Sequence, residues 1–321
     1  MVLGFFCQVA NRCVVNTSLS RRDLLRNLAA TAAALVLPAP LDACGRRAYP
    51  RDPDHERLTA WTAVLRAEGL SRLEAPIGPA VTRVGELAAG TPYEPATLEA
   101  YLRAGGSPAR TEPLTLSLTR FDCVTLVESC LAVARVAGDE GTPSWERFGR
   151  EVERMRYRDG ERRGYASRLH YFSEWITDSA RRGLLRDRSA ELGGMEDARP
   201  LRFMTEHRAS YPALADDGVF REIEAAERRL DGHPRRVIPT KRIPQVVDRI
   251  DTGDVLAFAT EIPGLDVTHA ALAYRGADRV LRVLHAPLSG GVVAVASAPL
   301  PGYVAAIRRA TGILVARPLR G

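Results

Sequence analysis

Among the side chains able to act as nucleophile or proton carrier, Cys123 stands out by its address. It lies in Arg120-Phe121-Asp122-Cys123-Val124-Thr125-Leu126-Val127-Glu128-Ser129-Cys130, where Asp122 can cap a helix and Cys123 falls in the first turn. Unpaired backbone N–H groups and the positive end of the helix dipole favour thiolate over thiol there. A thiol alone is no mechanism, because free cysteines are mostly inert core residues. It needs a base and a group that orients the base. His269, within Val267-Thr268-His269-Ala270-Ala271-Leu272-Ala273-Tyr274, and His285, within Leu284-His285-Ala286-Pro287, are of the right type. If the two segments are strands of a hairpin turning at Gly276-Ala277-Asp278, the imidazoles meet at one end of a sheet. One takes the Cys123 proton and the other holds its ring in the productive tautomer. The chemistry expected is attack of a thiolate on an amide carbonyl, with the Cys123 N–H helping to stabilise the oxyanion and His269 protonating the leaving amine.

The elements that must position these groups are legible in the hydrophobic pattern. From Cys123 the apolar residues Val124, Leu126, Val127, Leu131, Val133 and Ala134 continue at spacings of a buried helix. Amphipathic helices are expected before it at 55–68, 76–87 and 95–102, and a short alternating stretch at 114–118 leads into it. Helices are expected after it at 145–155, 167–182 and 220–230; the second would set His170 and Glu174 one turn apart on one side. Residues 236–244 read as extended. Short β-rich runs follow at 254–259, 267–274, 280–284 and 292–295, then a helix at 303–309 and a last strand at 313–317. Helices first and strands last describe an α+β fold with an antiparallel sheet.

Composition fits a globular chain and narrows its partners. The 321 residues are 45% hydrophobic and carry a net charge of +6. Removing residues 1–43 takes away four Arg and two Asp and leaves +4, which licenses only a weak attraction to anionic envelope material. The arginines are scattered among carboxylates, aromatics are few, and no glycine-rich phosphate loop follows a strand, so no nucleic-acid partner is expected. Residues 1–44 read as an export signal. Adjacent arginines in Ser20-Arg21-Arg22-Asp23-Leu24-Leu25 precede an apolar run at 28–37, and the pattern resembles a twin-arginine signal. Leu41-Asp42-Ala43-Cys44-Gly45 resembles a lipoprotein processing box with Cys44 as the acylated residue, although Asp42 is an uncommon occupant of it. The location implied is the cell envelope or periplasm, with membrane attachment through Cys44; a cleaved signal with an incidental cysteine is the plainer alternative. Of five cysteines, only Cys123 and Cys130 fall in the folded part. Seven residues apart on one helix they are separated by about 10 Å, too far for a disulfide.

Several motifs, in order, carry a resemblance. Phe121-Asp122-Cys123-Val124-Thr125, Arg168-Leu169-His170-Tyr171-Phe172-Ser173-Glu174-Trp175-Ile176, Thr268-His269, Leu284-His285-Ala286 and Thr311-Gly312-Ile313-Leu314-Val315-Ala316-Arg317-Pro318 are similar to the N-acetylmuramoyl-L-alanine amidase-like branch of the NlpC-type papain-like cell-wall hydrolases. The resemblance covers roughly residues 80–320. It implies a papain-like catalytic domain at 111–321, following a tether and helical region at 45–110. Because Cys123 and His269 are 146 residues apart, it also implies a helical insertion at about 140–235. The substrate implied is peptidoglycan or its muropeptides, with no cofactor and no metal. The bond implied is an amide in or beside the stem peptide, between sugar and L-alanine in preference to the γ-D-glutamyl bond of an endopeptidase. Asp122 would meet a free amine of the substrate, or serve simply as a helix cap, and Arg168, His170 and Tyr171 would form a wall of the cleft.

Three other readings compete. A zinc amidase would draw its ligands from His170, Glu174, His269 and His285, but no compact ligand spacing such as His-Glu-x-x-His is present. A non-catalytic lipoprotein could bind cell-wall peptides in an inherited cleft. An acyltransferase would share the acyl-enzyme intermediate.

Overall fold

The computed structural model describes residues 52–288 and 291–320. Residues 1–44, expected to form an export signal, with their arginine pair and Cys44, lie outside them. Among the described residues, eight strands form one antiparallel sheet: β1 (Leu185–Asp187), β2 (Met195–Asp197), β3 (Arg235–Pro239), β4 (Val255–Thr260), β5 (Val267–Arg275), β6 (Leu281–His285), β7 (Ala294–Val295) and β8 (Ala310–Pro318). Their order is β2-β3-β8-β4-β5-β6-β7, with β1 also pairing to β8. Seven helices matter to the argument: α1 (Pro53–Ala67), α2 (Gly78–Leu87), α3 (Cys123–Gly138), α4 (Trp145–Arg156), α5 (Phe172–Arg181), α6 (Asp217–Leu230) and α7 (Leu300–Ala306). Among the described residues, no helix is long and apolar enough to cross a membrane.

The sheet is buried on both faces, and β4 shows how its sequence allows that. Val255, Ala257 and Ala259 pack into one core with Val124, Val127 and Leu131 of α3, whereas Leu256 and Phe258 pack into a second core with Leu300 and Val304 of α7. Alternation with both sets apolar is the mark of a strand covered from two sides. Helix α3 is likewise apolar nearly all round, because α1, α2, α4 and the sheet surround it. A third core gathers Tyr171, Phe203, Met204, Val219, Ile223 and Leu265 under the 165–230 region.

The α+β architecture with an antiparallel sheet is as expected, and the departures have local causes. Residues 167–182 do not form one helix. Arg168 is extended and bridges to Tyr157, Tyr171 is extended too, and α5 starts at Phe172. Helix start is set from outside: the Asp266 carboxylate accepts the Ser173 N–H at 2.7 Å and the Val267 N–H at 2.8 Å, tying α5 to the head of β5. His170 and Glu174 are therefore not stacked on one helical face. Residues 114–118 make no strand because side chains take their backbone groups: Asp54 accepts the Leu118 N–H at 2.6 Å, and Arg156 donates to the Thr115 carbonyl at 2.6 Å. The span 140–235, expected to be helical, also contributes β1 and β2 to the sheet edge. Beyond β3 the chain is helical rather than extended, Pro244 sitting in the first turn of Ile243–Val246, where its missing N–H costs nothing. By the same logic α7 begins three residues earlier than expected, with Pro301 in its first turn.

Candidate active site

Cys123 is the first residue of α3, and the helix start is tightly specified. Asp122 Oδ1 accepts from Val124 N at 3.0 Å and Thr125 N at 2.7 Å, while Thr125 Oγ1 accepts the Asp122 N–H at 2.8 Å, forming a reciprocal capping box. The thiol is nearly buried, with 3% of its surface exposed. The chain just before it is stitched into the rim: Phe121 N donates to Pro92 O at 3.1 Å and Glu94 N to Phe121 O at 2.9 Å. The same rim loop reaches the segment after β6, since Tyr93 N donates to Gly291 O at 2.8 Å and Val293 N to Thr91 O at 2.8 Å. One short loop thus links the approach to Cys123 with the chain that leaves His285.

The two imidazoles meet. His269 Nε2 and His285 Nδ1 are 2.8 Å apart, with the rings nearly perpendicular at 77° and 5.0 Å between centroids. A bulge lies just before His269. The β4–β5 register shifts between Phe258 and Ala259, so that Phe258 faces His269 but Ala259 faces Val267, leaving Thr268 as the extra residue. Such a bulge re-aims the neighbouring side chain, and His269 stacks on Phe258 at 5.7 Å and 13°. Burial pushes both rings down, His269 to about 3, with the charge of His285 adding to the effect, and His285 to about 4. Both are neutral at pH 7, the state in which a ring nitrogen can accept a proton. Tyr303, on α7, was not singled out by the sequence. Its hydroxyl lies 3.1 Å from His285 Nδ1 and its ring meets that imidazole edge-on at 89°. Burial, with a smaller effect of a charge on Cys123, raises its phenol to about 12. The thiol, both histidines and Tyr303 therefore belong to one neighbourhood.

The structure places the expected cleft-wall residues elsewhere. Arg168 is completely buried, its guanidinium 2.5 Å from Glu99 and 3.5 Å from Glu112, and lies over the Tyr165 ring. Tyr171 donates to Glu227 Oε1 at 2.6 Å. His170 is 3% exposed and donates its Nε2–H to the Tyr165 carbonyl at 2.9 Å; burial drives its pKa well below the usual histidine range. These three are buried among internal partners and present no free surface to a substrate. Glu174 pairs with Arg158 at 2.8 Å, and among the described residues no three His, Cys, Asp or Glu side chains converge as a metal-ligand set. Cys130 is buried and its thiol is pushed up by desolvation, an inert setting.

Residues 83–313 match the sequence profile of the AmiA-like, N-acetylmuramoyl-L-alanine amidase-like family. The chain belongs to that family. None of the curated proteins matches this amidase-like chain, but solved structures do. An N-acetylmuramoyl-L-alanine amidase from Bacteroides uniformis is 30% identical with a TM-score of 0.68, over 75% of this chain and 98% of that one. A candidate xylanase from Bacteroides fragilis is 33% identical with a TM-score of 0.66, over 73% and 99% of the two chains. A Legionella pneumophila protein, 17% identical with a TM-score of 0.58 over 82% and 94%, shares the fold.

Proposed function

We propose that this amidase-like peptidoglycan hydrolase works through a Cys123 thiolate, with His269 as the base and His285 as its orienting partner, and cuts the amide between the muramoyl sugar and L-alanine. The observation that carries the proposal is the 2.8 Å contact between His269 Nε2 and His285 Nδ1. It engages the far nitrogen of His269 and leaves Nδ1 to exchange a proton with the thiol. The thiolate attacks the lactyl carbonyl, the Cys123 backbone N–H helps to stabilise the oxyanion, and His269 passes the proton to the departing L-alanine nitrogen. Water then attacks the thioester with His269 as base, regenerating the thiol. This arrangement of a helix-borne thiol beside strand-borne imidazoles is what an NlpC-type papain-like centre requires. Asp122 fits the part of a helix cap, since Oδ1 already receives the backbone donors. A glycosidase needs two carboxylates flanking the scissile bond, whereas the cluster here is a thiol, two imidazoles and a phenol. The export signal and Cys44 complete the proposal: an envelope protein held to a membrane by lipid, with muropeptides as its substrates.

The test is digestion of purified muropeptides with the fragments weighed. Peptide-free sugar together with a stem peptide beginning at L-alanine is expected; L-alanyl-D-glutamate left on the sugar would convert the assignment to an endopeptidase. Cys123→Ala is expected to retain the fold and lower release to about a thousandth or less. Undiminished release by that variant would exclude the thiol mechanism.

A further inference from the structure

The His285 Nδ1 atom has two neighbours, and that decides where protons sit. His269 Nε2 is at 2.8 Å and the Tyr303 hydroxyl at 3.1 Å. An imidazole nitrogen either carries a proton or offers one lone pair. For His269 to keep its Nδ1 lone pair for a thiol, its Nε2 must be protonated and donate, so His285 Nδ1 must be the acceptor and His285 must carry its proton on Nε2. The opposite tautomer of His285 would donate from Nδ1, force His269 to accept at Nε2, and place the His269 proton on the nitrogen needed as base. With both imidazoles neutral, something must separate the two arrangements.

We propose that Tyr303 is a positioning residue that fixes the tautomers of the histidine pair by donating its hydroxyl proton to His285 Nδ1, whose one lone pair it shares with the His269 Nε2–H in a three-centre hydrogen bond. The proposal rests on the reading of His269 as base. A phenol is a better donor than acceptor, because its oxygen lone pair is delocalised into the ring, so its hydrogen bond favours the arrangement in which Nδ1 accepts. The ring is held for this task. It packs on Phe258 at 5.4 Å and 50°, and Phe258 also stacks on His269, so one aromatic side chain sets the position of both Nδ1 neighbours. Backbone placement is equally constrained: Tyr303 N donates to Pro299 O at 2.9 Å, closing the first turn of a helix whose Leu300 and Val304 are fully buried. In this scheme Tyr303 acts through His285.

Tyr303→Phe keeps the ring and its packing while removing the hydroxyl. In the full chain labelled with nitrogen-15 histidine, with signals assigned by their loss in His269→Gln and His285→Gln, unmodified His285 is expected as a single Nε2–H tautomer. In Tyr303→Phe it is expected as a mixture of tautomers. On a defined muropeptide, kcat should fall about fivefold to tenfold, the scale of one neutral hydrogen bond, with KM within about twofold. The same substitution in a His285→Asn background, where no imidazole tautomer exists, should have no further effect on kcat. An unchanged His285 spectrum in Tyr303→Phe, or an equal loss in the His285→Asn background, would overturn the proposal. The spectra do not depend on turnover. Full activity of Cys123→Ala with tautomer mixing in Tyr303→Phe would therefore sink the thiol mechanism and leave the tautomer assignment standing.

Discussion

In the proposed mechanism His269 and His285 carry the proton chemistry, and their burial also bears on acid stability. His285→Ala removes the acceptor from His269 Nε2 and is expected to lower kcat by about 10²–10⁴-fold, as loss of an orienting group does, while His285→Asn restores an acceptor and part of the rate. Steady-state kinetics on muropeptides checks this. The pKa values of about 3 and about 4 have a second consequence. Unfolded histidine titrates near 6.5, so below that pH the unfolded chain binds protons that these folded rings refuse. The stability they contribute is complete above about pH 6.5 and declines by roughly 1.4 kcal/mol per pH unit for each ring as pH falls toward the folded values. His285→Gln should therefore show a shallower fall of urea midpoint between about pH 6 and 4 than the unmodified protein. These two histidines were legible because a hairpin turn was expected at 276–278, and the connection between β5 and β6, residues 276–280, does pair their strands. Tyr303 was not, since it reaches His285 through the packing of α7 on Phe258 of β4, a contact between segments distant in the chain.

At the scale of elements, the decisive feature is how helix starts are held. Asp122→Ala removes the acceptor of two backbone N–H groups at the head of α3 and is expected to cost about 1–2 kcal/mol, whereas Asp122→Asn, which can still cap, should cost less; urea unfolding distinguishes them. This cap was visible in the sequence because its partners are two and three residues away. The start of α5 was not, because its capping carboxylate belongs to Asp266, distant in the chain, and because Arg168 must stay extended to reach Glu99 and Glu112. Local pattern made 167–182 one helix; long-range charge pairing split it. Close approach of α2 to the turn before β4 was equally hidden. Gly253 has φ +85, and a Cβ there would lie 2.2 Å from the Gly78 carbonyl oxygen. Gly253→Ala is expected to destabilise by about 2 kcal/mol or more, with strain and clash acting together, as a fall in thermal midpoint would show.

For the whole molecule, the buried charges behind α3 bind separate parts of the chain into one body. Arg156 meets Glu128 at 2.8 Å with both side chains almost fully enclosed, and Arg168 lies between Glu99 and Glu112. Removing one member strands its partners without water or counter-charge. Arg168→Met is therefore expected to cost about 3–5 kcal/mol, read from the denaturant midpoint. The sheet adds a constraint of a different kind. Strand β8 lies inside the sheet, beside β4 along its length and against β1 and β3 on other stretches. All three of those strands leave the ribosome before it does. Until residues 310–318 emerge, two portions of a future sheet have no seam between them, and β4 keeps an open edge. The nascent polypeptide must wait, unfinished and sticky, for the segment that joins them. A helper that shields exposed edges during synthesis would matter more for this protein than for one whose middle strands are made first.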